Sequence, residues 1–155
     1  MVNGGEGLRW GQLLGITLVV GLLSWIGWRV YLDNGHLLSQ VSWISTVLLV
    51  AMALLVVSAG LPVRRFLRGE ARKPLNALRA ARTLVLAQAA ALTGAAVLGW
   101  YAAQEAHALA DLGLPGYRTL AWQLAGVCGG AVLLAVAGMV TQRMCRVEPP
   151  SDDRD

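Results

Sequence analysis

The chain has 155 residues, 56% of them hydrophobic and only 14% charged, with a net charge of +4 and a mean hydropathy of +0.56. A water-soluble domain carries about a quarter of its residues as charges, because its surface must be wetted. This composition excludes a single soluble core. Apolar stretches of roughly 18 residues or more read as membrane spans, and the sequence contains four. The first covers about residues 12–32, the second 41–61, the third 83–103 and the fourth 119–141. At 1.5 Å rise per residue each can cross a hydrocarbon core of about 30 Å as a helix. A bilayer offers no water to satisfy backbone groups, and the alternation of a transmembrane barrel is absent, so helices are expected. The expected fold is all-α: a four-helix transmembrane bundle with both termini cytoplasmic. Residues 1–11 and 142–155 form short polar ends.

Before the first span stands Arg9. That span is longer than the apolar region of a signal peptide and lacks a small-residue cleavage site, so it reads as an uncleaved span. The first connection holds Asp33 and His36, with Arg29 just before it. The second connection, 62–82, is different. It carries Arg64, Arg65, Arg68, Arg72, Lys73, Arg79 and Arg82 against one acid, Glu70. The third connection has Arg118 beside Glu105 and Asp111, and the tail has Arg143, Arg146 and Arg154. Eleven of the 13 Lys and Arg residues thus fall on the side of the termini and the middle connection, and two on the other. By the positive-inside rule the basic side is cytoplasmic. Arginines at a helix start oppose the macrodipole, so membrane electrostatics is the better reason for Arg79 and Arg82. At about 1 kcal/mol per cation, an anionic cytoplasmic leaflet attracts this segment. Nucleic acid is not an expected partner, since only Phe66 is interleaved among the cations. Pro74 suits a first helical turn, which predicts that the third helix starts near it.

Within the third span Ala87, Ala91, Ala95 and Gly99 recur every four residues, with Ala90 and Gly94 alongside. The fourth span has Gly126 and Gly130, and the first has Gly11 and Gly15. Small residues at this spacing let helix backbones approach closely, which matters in lipid because apolar attraction between helices is weak there. The third and fourth spans are expected to pack through these faces, within one chain or across a dimer. Trp10, Trp25, Trp28, Trp43, Trp100, Tyr101 and Trp122 mark span ends as an aromatic belt.

Intramembrane charges usually flag a transport path, and none falls in the inner two-thirds of a span. Gln88, Thr93, Ser24 and Ser58 are the polar exceptions, and Gln88 is expected to hydrogen-bond a neighbouring helix. His36 and His107 fall in the two outer connections near Asp33, Glu105 and Asp111, where solvated loop residues are expected rather than a metal or acid–base site. Cys128 and Cys145 are 17 positions apart on one helix, about 25 Å, too far to bridge. There is no GxSxG, HExxH, Walker loop or GxGxxG on a strand. The sequence therefore points to no enzyme, cofactor or metal. It points to a structural or accessory membrane protein that binds itself or another membrane protein, with a small oligomeric transporter as the alternative.

From "PLNALRAARTLVLAQAAALTGAAVLGWY" and the tail "QRMCRVEPPSDDRD" the chain resembles an actinobacterial family of small membrane proteins, domain-of-unknown-function family 3180. The specific parts are Leu78–Ala87 and Arg143–Pro150. The resemblance implies four spans with a basic middle connection, and it carries no known activity or catalytic residue. Relatives are often encoded near folate-biosynthesis genes, which implies a context and no reaction. Two departures stand out. Asn76-Ala77 replaces an Asp-Pro pair, and Gln142 replaces an acidic residue before the tail arginine, so a salt-bridged cap in relatives would be weaker here.

Overall fold

The computed structural model describes residues 9–35, 41–67, 77–113 and 115–144, with the side chains of 63–67 and 77–80 left aside. Four helices make up nearly all of it: α1 (Trp10–Asp33), α2 (Trp43–Leu67), α3 (Ala77–Ala110) and α4 (Tyr117–Met144). Each predicted span lies on one of them, no strand occurs among the described residues, and all four helices are long and apolar enough to cross a membrane.

Local chemistry sets the ends. The Arg9 N–H donates to Gln12 Oε1 at the start of α1 (3.1 Å), half of a capping box. Asn34 Nδ2 donates to the Val30 carbonyl at its end, and Gly35 leaves the helix with φ +79°, a conformation that favours glycine. The Ser42 hydroxyl accepts the Ile44 N–H before α2, as an N-cap does. Gly116, at φ +89°, turns the chain into α4, where its carbonyl accepts the Leu120 N–H.

Two helices run past the sequence boundaries. α2 continues through Pro62 to Leu67. Proline has no N–H for the Ser58 carbonyl, a cost of about 3 kcal/mol in a helix interior, but this gap falls in the last turns. α3 continues past residue 103 to Ala110 and reaches 34 residues, about 51 Å. Its extension "QEAHALA" is rich in alanine, the best helix former, and holds no Gly or Pro, so Glu105 and His107 do not stop it. Pro74, the expected start of α3, lies outside the described residues.

The helices are arrayed in the order α1–α3–α4–α2. α3 packs most extensively on α4, α1 lies along α3, α2 lies along α4 with a minor contact to α3, and α1 and α2 do not approach each other. Of the most apolar stretch of each helix, 56% of α4 and 39% of α3 is buried, against 11% of α1 and 17% of α2. The centre is an α3–α4 pair, and the outer helices cover its flanks. Leu13 near the start of α1 packs with Ala91, Ala95 and Met139 near the end of α4, so the start of α1 and the end of α4 share one end of the array. The opposite end, with the α1–α2 and α3–α4 connections, is the hairpin end. There Ala108, Leu120, Ala121 and Leu124 form a cluster roofed by Trp28, Leu32 and Tyr101.

Candidate functional site: helix seams and the hairpin end

The α3–α4 seam is a contact between backbones. A Cβ on Gly94 would stand 2.7 Å from the Ala135 nitrogen and 2.8 Å from the Ala131 carbonyl oxygen. A Cβ on Gly138 would stand 2.5 Å from the Ala87 oxygen and 2.7 Å from the Ala91 nitrogen. Ala87, Ala91 and Ala95 are fully or almost fully buried. Spans three and four therefore do pack closely, but Gly126 and Gly130 are not the residues that allow it. Gly126 faces Trp43 and Thr46 of α2, and Gly130 faces Leu49 of the same helix at 3.1 Å. At 100° per residue these two glycines point roughly a quarter to a half of a turn away from Ala131, Ala135 and Gly138. Gly99 likewise turns to α1, where its Cβ would meet the Thr17 oxygen at 2.5 Å and the Gly21 nitrogen at 2.9 Å. Gly11 and Gly15 face open space and take part in no seam. Gly138 lies two four-residue steps beyond Gly130 with Leu134 between them, and that interrupted spacing was its only signal. Gly21 carried no such signal.

Hydroxyls pin the outer helices to the central pair. Thr17 Oγ1 donates to the Leu13 carbonyl (3.0 Å) or the Ala95 carbonyl (3.1 Å), Ser24 Oγ donates to the Trp100 carbonyl (3.2 Å), and Thr141 Oγ1 donates to the Val56 carbonyl (3.4 Å). Each such bond spares a polar group from meeting hydrocarbon unpaired. Ser58 donates within its own helix, to Leu55. Gln88 is half-buried and makes no hydrogen bond among the described residues, contrary to expectation.

Of the basic connection, Arg82 lies on the first turns of α3 and is exposed. Arg64 and Arg65 are on the last turns of α2 and Arg79 is on the first turn of α3, all with side chains left aside. Arg68, Arg72 and Lys73 lie outside the described residues, as do His36 and Cys145.

At the hairpin end the structure corrects the sequence reading. Glu105 and His107 belong to α3 instead of to a loop. The His107 ring stacks on Trp25 at 4.3 Å, with its Nε2 buried and without a hydrogen bond. Trp28 turns inward, edge-on to Trp100 and Tyr31. With Ser24 and Gly27 these three rings line a groove of about 650 Å³ between α1 and α3. Trp10, Trp43, Trp100 and Trp122 remain about half or more exposed, as belt residues do.

Glu105 is half-buried, five residues before the end of α3, and lies beside the Cys128 thiol of α4. It lines a second groove, of about 330 Å³, with Leu109, Leu112, Ala121, Trp122 and Ala125. Arg118, in the first turn of α4, lines the same groove and makes no ion pair with Glu105. Asp33 and Asp111 are exposed at the helix ends. No group of three His, Cys, Asp or Glu residues able to hold a metal occurs among the described residues.

With this geometry the comparisons agree on family alone. The model of the family described as "Protein of unknown function (DUF3180)" matches residues 13–149, and the chain belongs to that family. No curated protein and no solved structure matches it.

Proposed function

We propose that this DUF3180 member is a non-enzymatic accessory protein of the cytoplasmic membrane that acts by binding a second copy of itself or another membrane protein. Both termini and the basic connection lie on the cytoplasmic side, against an anionic leaflet. The observation that carries this reading is the uneven burial of the helices. The seams absorb the described interhelical hydroxyl bonds and the closest glycine contacts, yet α1 and α2 bury only 11% and 17% of their apolar stretches. Leu18 and Leu22 on α1 and Leu48 and Leu55 on α2 are each more than 60% exposed. In a bilayer these faces meet lipid or another helix, and the fold does not need them.

Photo-crosslinking residues installed at Leu18 and Leu48 in native membranes test this. The expected result is a discrete protein adduct from at least one of them, and none from the buried Leu134. Lipid adducts alone from both exposed positions would contradict it. Reporter fusions at Arg68 and at the C-terminus should both report the cytoplasm.

One observation favours a transporter as the second reading. Glu105 lies toward the hairpin end of the apolar helix α3 and lines a groove, and a carboxylate on a membrane helix is a usual flag of a transport path. Flux through liposomes that is lost on Glu105→Gln would establish it, and the same flux surviving Gln88→Ala would separate the two polar positions.

A further inference from the structure

The groove that holds Glu105 is built differently from the seams around it. The seams are closed by small residues, whereas here a groove of about 330 Å³ opens on the α3–α4 surface beside the packed Ala108, Leu120, Ala121 and Leu124. A volume of this size falls at the lower end of small-molecule sites, which combine apolar walls with a few polar groups. The walls are Leu109, Leu112, Ala121 and Ala125, and Trp122, 69% exposed, flanks the opening.

The acidic group in this lining is the Glu105 carboxylate, and beside it among the described residues is the Cys128 thiol, a weak donor. No cation of the described residues ion-pairs with it. Arg118, exposed at the start of α4, also lines the groove, and its long side chain can carry its charge out to water. A carboxylate in apolar surroundings is favoured by a cation brought into hydrogen-bonding or Coulombic contact. An aromatic face beside it adds cation–π attraction.

We propose that the α3–α4 groove is a binding site for a lipophilic organic cation. The charged centre lies against Glu105, and the apolar substituents lie between Leu109, Leu112 and Trp122. Hydrophobicity brings such a ligand into the bilayer, and its charge selects the Glu105 carboxylate that lines this groove. The site needs only that the helices are membrane-embedded. It does not depend on which side the hairpin end faces, on the partner, or on whether the ligand is moved across.

The test uses the purified full chain in lipid nanodiscs and tetraphenylphosphonium as the probe, with binding read by calorimetry. The expected result is saturable one-to-one binding that weakens at least about tenfold in Glu105→Gln, the loss of one charge-assisted contact, and is retained or tightened in Arg118→Gln. The neutral analogue triphenylphosphine oxide should bind at least about tenfold more weakly than the cation. Equal binding of cation and neutral analogue, or equal affinity in Glu105→Gln, would overturn the proposal. A second readout needs no change at Glu105. In the Cys145→Ser chain, saturating cation should slow labelling of Cys128 by a lipophilic maleimide, and labelling unchanged by the cation would also overturn it.

Discussion

The α3–α4 seam and the α1–α3 seam use the same residue types and are built to different tolerances. At Gly94 and Gly138 the backbones of two central helices meet, each already held on its far side by an outer helix. At Gly99 the approach is as close, but the partner is α1, which nothing holds from outside. Close packing therefore costs most to disturb where neither helix can retreat. Lipid covers a helix that moves outward as readily as one that stays, so the outer seams can yield.

Substitutions grade this contrast. Gly94→Val or Gly138→Val should be the most damaging, about 3 kcal/mol or more, because the new atoms meet backbone and not a side chain that can turn aside. Unfolding in mixed micelles checks this, and a loss under about 1 kcal/mol would show that the central seam is soft. Gly99→Ala comes next at about 1–2 kcal/mol. Hydrogen exchange should show the loss confined to α1, with α3–α4 protection kept. Thr141→Val and Thr17→Val each remove an interhelical hydroxyl bond, and the expected loss is about 0.6 kcal/mol. The smallest effect belongs to Gly15→Ala. With nothing within 4 Å of its Cβ, the better helix propensity of alanine should leave stability unchanged or raise it by up to about 1 kcal/mol.

The same contrast separates what was legible in the sequence from what was not. Four apolar runs of membrane length are a property of composition, and they lead to the four helices directly. The small-residue face of α3 was legible because a four-residue spacing keeps one side of a helix in register, and Ala87, Ala91 and Ala95 lie buried along it. Which neighbour each small residue meets was not. Gly126 and Gly130 read like the natural partners of that face, and only the rotation of α4 turns them to α2. Rotation is set by the packing of all four helices together, which no single span encodes. Hydropathy also ended the third span at the first charge after Trp100. Alanine propensity carried the helix on, and this brings Glu105 beside Cys128 and into the groove.

The account stands on a bilayer-embedded array in which α3 and α4 are neighbours while α1 and α2 are kept apart. Paired cysteines in isolated membranes, in a chain carrying Cys128→Ala and Cys145→Ser, test that arrangement most directly. Ala90→Cys with Leu134→Cys, on α3 and α4 within one packed cluster that α2 also joins, should form an intrachain disulfide on mild oxidation. Leu18→Cys with Leu48→Cys on α1 and α2 should form none. A disulfide from the second pair and not the first, or a chain recovered from the aqueous fraction, would contradict the account.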